Sequence, residues 1–253
     1  MIYFVGAGSG APDLITVRGQ RLLEEADLII YAGSLVNPEL LKNAKPEAQI
    51  YNSAKLHLDE VISLMKAAEA EGKQTVRLHT GDPSIYGAIR EQMERLDELG
   101  FDYEVCPGVS SFCGAAAALK AEFTVPSVSQ TVIITRMEGR TPVPELEKLH
   151  LLASHQASMV IFLSAGLSEK VQEELLKGGY PEDTPCGIVY KATWPEEKVF
   201  YSPLKDLHQT MQEEGVQNFA LITVGNFLGD KYELSKLYDR HFTTAFRKGE
   251  AKE

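Results

Sequence analysis

The feature that most constrains this chain is a recurring unit: a short, wholly apolar run, a glycine turn, then a helical stretch. The first copy is Ile2-Tyr3-Phe4-Val5 entering Gly6-Ala7-Gly8-Ser9-Gly10-Ala11-Pro12, with a helix expected over 16–26. A strand without polar alternation is buried on both faces, and successive strands joined through helices lie parallel. The pattern repeats at Asp27-Leu28-Ile29-Ile30-Tyr31, stopped by Ala32-Gly33-Ser34; Asn37-Pro38 then opens a short helix, and 48–51 is a third candidate strand. Leu58, Val61, Ile62 and Met65 recur at helical spacing over 57–71, and Gly72 ends that helix. A strand over 75–79 leads through Gly81-Asp82-Pro83-Ser84 to a helix expected to carry Tyr86, Ile89, Met93 and Leu96 on one face, stopped by Gly100. A strand at 103–105 meets Pro107-Gly108, and Ser110 or Ser111 is placed to cap an alanine-rich helix through Ala115 and Leu119.

The rhythm breaks around 123–127. Strands are expected over 131–135, 158–163, 188–190, 198–201 and 219–224, with helices over 144–153, 167–177 and 204–214. Two strands without an intervening helix at 188–201 indicate a hairpin, hence a mixed sheet. The fold class is therefore α/β with two α/β domains. The first, 1–122, carries a mostly parallel sheet and the glycine loop; the second, 123–253, carries a mixed sheet, and they join near 118–128. The last ten residues read as a charged, frayed tail.

Charge and composition narrow the function. Lys+Arg 25 against Asp+Glu 36 gives a net charge of -11, which argues against broad binding to nucleic acid or anionic lipid. No apolar run approaches the roughly 20 residues of a membrane-spanning helix, and Met1 leads straight into a strand without a basic leader, so the expected compartment is the cytoplasm. Cys106, Cys113 and Cys186 lack any C-x-x-C pair and are expected as reduced core thiols, and the histidines have no metal-binding spacing, so no metal is expected.

Gly6, Gly8 and Ala11 satisfy the G-x-G-x-x-A form of a dinucleotide fingerprint. Pro12 stands where the phosphate-binding helix should start, however, and Tyr31-Ala32-Gly33-Ser34 lacks the acid that would hold a ribose. Three readings stand for the loop: a nicotinamide dinucleotide site, which these two features disfavour, a plain turn, or a surface that lets a large flat ligand approach backbone. The segment His79-Thr80-Gly81-Asp82-Pro83-Ser84-Ile85-Tyr86-Gly87 lies at the carboxyl end of a parallel strand, where open α/β sheets bind ligands. Asp82 either caps the next helix or takes part in a site for a nucleoside-sized ligand. Pro107-Gly108-Val109-Ser110-Ser111 offers hydroxyls and free N–H groups at a helix start, for capping or for an anionic group.

Taken in order, Val5-Gly6-Ala7-Gly8-Ser9-Gly10 with Asp13-Leu14 and Thr16, Gly81-Asp82-Pro83, and Pro107-Gly108-Val109-Ser110-Ser111 resemble the tetrapyrrole methyltransferases across nearly the whole chain. Within that family, Tyr31-Ala32-Gly33-Ser34-Leu35-Val36, Gly139-Arg140-Thr141-Pro142-Val143-Pro144 and Tyr190-Lys191-Ala192-Thr193-Trp194-Pro195 look most like the enzymes that methylate C11 of precorrin-4 or cobalt-precorrin-4 in cobalamin synthesis. The resemblance implies S-adenosylmethionine as cofactor, S-adenosylhomocysteine as product, a homodimer, and a cofactor folded in a cleft between the domains. By carry-over, Gly81, Asp82, Pro83, Ile85, Tyr86, Ser110, Ser111, Leu163, Ser164, Ala165, Tyr190 and Ala192 would line the cofactor site. Gly8, Ser9 and Gly10 would face the tetrapyrrole, with Arg18, Lys55, Arg136, Arg140 and Lys191 as candidate partners for its carboxylates. No base stands out among Tyr86, Ser111 and Lys55. Relatives that methylate uroporphyrinogen carry an acid where this chain has Ala32, which counts against that substrate. The alternatives are another tetrapyrrole C-methyltransferase of the same pathway and, from a different class, a non-catalytic tetrapyrrole carrier.

Overall fold

A computed structural model of the protein describes residues 1–251, with Ser34 described by its backbone alone. The chain divides into two compact units, Met1–Ala115 with Lys191–Glu197, and Ala116–Tyr190 with Lys198–Glu253.

The first unit holds strands β1 (Ile2–Gly6), β2 (Leu28–Tyr31), β3 (Gln49–Asn52), β4 (Thr75–His79) and β5 (Tyr103–Cys106), in the order β3-β2-β4-β1-β5. Every pairing is parallel. The helices are α1 (Val17–Glu25), α2 (Leu58–Ala70), α3 (Ile89–Leu99) and the start of α4 (Ser111–Leu119). Alternate residues of the central strands supply two cores. Val5, Ile29, Val76 and Leu78 pack with Leu23 of α1, whereas Ile2, Phe4, Leu28 and Ile30 pack with Val61, Ile62 and Met65 of α2 and Leu96 of α3. That double burial is why β1 and β2 read as unbroken apolar runs. Thr16 caps α1 by accepting a bond from Gly19 N at 3.0 Å.

The second unit holds β6 (Val132–Arg136), α5 (Leu149–Ala153), β7 (Ser158–Phe162), α6 (Ser168–Lys177), β8 (Pro185–Tyr190), β9 (Lys198–Pro203), α7 (Leu207–Glu213) and β10 (Ala220–Val224). Its sheet runs β6-β7-β10-β8-β9; β6 and β7 are parallel and the other pairs antiparallel, so it is mixed as expected. The α/β class with a parallel and a mixed sheet therefore stands.

Three local readings change. The helix expected over 144–153 is a 3-10 turn at Glu145–Glu147 followed by the short α5, because Lys148 between them is extended. Tyr86 does not share a face with Ile89, Met93 and Leu96: α3 begins only at Ile89, after Tyr86 and Ala88 both take left-handed backbone. Cys113 is exposed, so only Cys106 and Cys186 are core thiols; all three are free.

Candidate functional site

The loops that follow β4, β1 and β5, three adjacent parallel strands, are tied to one another at their carboxyl ends. Ala7 N donates to His79 O at 2.7 Å, and Gly8 and Gly81 exchange bonds, Gly8 N to Gly81 O at 3.2 Å and Gly81 N to Gly8 O at 3.0 Å. The backbones of Gly6, Gly81 and Gly108 press together: a Cβ on Gly6 would lie 2.5 Å from Gly81 O and 2.6 Å from Gly108 Cα. Only glycine fits such a junction.

Asp82 locks it. Its Oδ1 accepts bonds from Ser84 N at 2.8 Å and from Ser84 Oγ, and its Oδ2 accepts from Gly108 N at 2.8 Å. The helix that follows starts seven residues later, at Ile89, so Asp82 is an Asx-type turn residue and a tie to the β5 loop rather than a helix cap. Burial works to raise its carboxyl, yet the hydrogen bonds from Ser84 and Gly108 prevail and hold it below the usual value.

Beneath this junction β4 carries two buried polar side chains. Arg77 donates to Gln92 Oε1 and Ile30 O, both at 3.0 Å, and burial lowers it to about 10. His79 is 3% exposed, its Nε2 has no hydrogen-bond partner, and burial together with the Arg77 charge pushes it down to about 3, so the ring is neutral.

The glycine loop has a second set of partners that the sequence hid. The turn at 191–197 lies on it: Thr193 Oγ1 accepts from Ala11 N at 3.0 Å and sits 3.2 Å from Ser9 Oγ, while the buried Asn37 donates to Gly10 O at 2.8 Å. A Cβ on Gly10 would overlap Trp194, at 2.5 Å from Nε1, and would lie 2.7 Å from Ala192 O. Lys191 Nζ stands 5.4 Å from the centroid of the Trp194 ring. Gly8, Ser9 and Gly10 are buried here, and each of the loop's glycines is demanded by the protein's own packing.

Of the residues expected around a cofactor, Gly81, Asp82, Pro83, Ser110 and Ser111 belong to the loop junction. Ile85 and the exposed Tyr86 lie just beyond it. Arg18 and Lys55 are exposed elsewhere in this unit. In the second unit Leu163 follows β7, is 68% exposed and has a left-handed backbone, φ 53°. The neighbouring Ser164 and Ala165 are buried, and Ser164 Oγ accepts from Met137 N at 2.8 Å and donates to Phe162 O at 2.6 Å. Tyr190 ends β8. Arg136 is turned onto its own loop, donating to Met137 O, Thr141 O and Pro142 O, whereas Arg140 is exposed. Left-handed backbone at residues bearing a Cβ costs ~1–2 kcal/mol each, and Tyr86, Ala88, Leu163, Lys191 and Thr193 all adopt it. Such strain concentrates where function holds the chain in place. The second unit also has a cavity of about 220 Å³ beside Met137, Val143 and Leu149. Its Glu174 is already paired with His150 at 2.5 Å and Lys177 at 3.0 Å. Among the described residues no cluster of His, Cys, Asp and Glu could hold a metal ion, and no helix is long and apolar enough to cross a membrane.

Residues 1–208 match the family model of the Tetrapyrrole (Corrin/Porphyrin) Methylases. The chain is 54% identical over 252 residues to a cobalt-precorrin-4 C(11)-methyltransferase of Methanocaldococcus jannaschii, covering 99% of this chain and 97% of that one. A solved cobalt-precorrin-4 methyltransferase superposes with a TM-score of 0.89 at 49% identity, over 90% of this chain and 96% of that one. A uroporphyrin-III C-methyltransferase of Thermus thermophilus, solved in complex with S-adenosylhomocysteine, gives a TM-score of 0.74 at 27% identity, over 90% and 93% of the two chains.

Proposed function

The chain belongs to the tetrapyrrole (corrin/porphyrin) methylases, and on that premise we propose that it transfers a methyl group from S-adenosylmethionine to C11 of cobalt-precorrin-4. The observation that carries this reading is the 54% identity to an enzyme of that name along almost the whole of both chains. The 32% identity to the uroporphyrinogen-III C-methyltransferase of Bacillus subtilis is far lower.

The residues fit the cofactor. Among those proposed to hold it, namely Gly81, Asp82, Pro83, Ile85, Tyr86, Ser110, Ser111 and Ala192 in the first unit and Leu163, Ser164, Ala165 and Tyr190 in the second, the one charged side chain is the Asp82 carboxylate. Hydrogen bonds keep it ionised. One anion among neutral and aromatic groups suits a nucleoside that bears a sulfonium cation, and the set holds no cationic side chain to pair with a diphosphate.

Bound S-adenosylmethionine supplies an electrophilic methyl whose bonding pair stays on sulfur as a thioether. The protein's work is then placement, since holding the reacting atoms in line can supply ~7–11 kcal/mol of the barrier. The tied loops after β1, β4 and β5 serve that purpose: with Asp82 bonded to Gly108 and Gly8 bonded to Gly81, the backbone around the cofactor has little freedom to move. Lys191, Arg18, Lys55, Arg136 and Arg140 are the proposed partners of substrate carboxylates.

Calorimetric titration with S-adenosylhomocysteine, beside reduced nicotinamide dinucleotide as a control, tests the cofactor half of the reading. Binding of the first alone is expected; binding of the nicotinamide alone would return the glycine loop to the dinucleotide class.

A further inference from the structure

The glycine loop, taken above as the part of the first unit that meets the tetrapyrrole, is buried under the turn at 191–197. Gly8 and Gly10 have no side chains, and Ser9 is 9% exposed with its hydroxyl 3.2 Å from Thr193. What the loop presents outward is therefore the turn. Trp194, half-buried, has one edge of its indole against Gly10, where no Cβ fits. Lys191 stands over that ring at 5.4 Å and is also 3.6 Å from the exposed Glu196.

The turn is built to hold this pair. Thr193 N donates to Glu197 Oε2 at 2.6 Å, Trp194 N to Lys191 O at 3.0 Å, and Glu197 N to Trp194 O at 3.0 Å, while Lys191 and Thr193 both accept left-handed backbone, φ 46° and 67°. An aromatic plate carrying a cation is a complement to a flat macrocycle edged with carboxylates: the indole offers area and the ammonium a charge-assisted bond.

We propose that Trp194, with Lys191 above its ring, is a specificity-determining contact for the tetrapyrrole, and that Ser9, Gly10 and Thr193 are its seat rather than the contact itself. This rests on the tetrapyrrole-methylating reading, and the test separates the two. Trp194 is the chain's sole tryptophan, so fluorine-labelled tryptophan gives a single resonance. With S-adenosylhomocysteine present to block turnover, adding enzymatically prepared cobalt-precorrin-4 is expected to shift that resonance, whereas S-adenosylhomocysteine alone leaves it in place. Trp194→Leu is expected to weaken tetrapyrrole binding about tenfold or more, Trp194→Phe by less, with the Kd for S-adenosylhomocysteine kept within about twofold. Lys191→Met is expected to flatten the salt dependence of tetrapyrrole binding.

An unmoved resonance on a wild-type protein that does bind the tetrapyrrole would overturn the proposal and leave the function standing. So would a Trp194→Leu variant of unchanged tetrapyrrole affinity, or one that loses both ligands equally. Wild-type protein that binds no tetrapyrrole would overturn both. If Trp194→Leu does not fold, the resonance of the unaltered protein decides the matter alone.

Discussion

His79 is a titratable side chain held almost wholly out of water. A histidine held down to about 3 in the fold and ordinary at 6.5 in the unfolded chain binds its proton only after unfolding across that window. Its depressed value therefore leaves stability intact above pH 6.5 and removes it progressively as the pH falls toward 3. Between pH 7 and pH 4.5 the loss attributable to His79 is about 2–3 kcal/mol. Urea unfolding of His79→Leu at the two pH values should show a smaller drop than the native protein by that amount; an equal drop would mean that other groups carry the acid sensitivity. Asp82 acts in the same sense lower down, its hydrogen-bonded carboxylate adding stability above its unfolded value of 3.8 and losing it as the pH falls further. Removing it in Asp82→Ala leaves Gly108 N and Ser84 N without their acceptor, a cost of about 1–3 kcal/mol. The Kd for S-adenosylhomocysteine should rise, and unchanged affinity would remove Asp82 from the cofactor site. Gly108→Ala acts through a clash instead, since its Cβ would strike Gly81 O and stand 2.7 Å from Gly6 Cα. A stability loss of ~1–3 kcal/mol in denaturant titration is expected.

At the scale of elements, the strands and most helices could be read because their causes are local: unbroken apolar runs for β1 and β2, the 3.6-residue stripe of α2, and Thr16 in front of α1. The misreading at Tyr86 has an equally definite cause. Tyr86 fits the helical spacing of Ile89, Met93 and Leu96, but Gly87 packs against Pro83, where a Cβ would come within 3.1 Å of its Cα, and the chain must turn twice through left-handed backbone before α3 can start. That is a local backbone turn, which side-chain periodicity does not register. It carries a prediction: Ala88 adopts φ 50°, ψ 38°, so Ala88→Gly should relieve strain and stabilise the protein by up to about 1 kcal/mol, against the usual penalty for a new glycine. A midpoint that falls instead would show that the entropy of the added glycine outweighs the strain.

For the whole molecule, the readable part of the site was the part contiguous in sequence. Gly81-Asp82-Pro83 and Pro107-Gly108 stand out as turn motifs, and their position after parallel strands places them at a carboxyl edge. The clasp of Thr193 and Trp194 on Ser9, Gly10 and Ala11 was not readable, because it joins residues more than 180 positions apart and nothing in Tyr190-Lys191-Ala192-Thr193-Trp194 announces its partner. Close packing also shows why a glycine pattern alone misleads: a Cβ on Gly6 would strike Gly81 O and one on Gly8 would stand 2.6 Å from Leu14 O, so both fingerprint glycines answer to the protein's own backbone. The net charge of -11 likewise says little about a polycarboxylate substrate, whose recognition depends on the few cations beside it.

The proposed reaction moves one methyl group to one ring carbon, and following that methyl tests it. The purified protein would be incubated with enzymatically prepared cobalt-precorrin-4 and S-adenosylmethionine bearing an isotopically labelled methyl, and the product examined by mass spectrometry and carbon NMR. One labelled methyl per macrocycle, at C11, with S-adenosylhomocysteine formed in equal amount, is expected. A label at another ring carbon would place the chain elsewhere among the tetrapyrrole methylases; tetrapyrrole bound but never methylated would make it a carrier and contradict the proposed function outright.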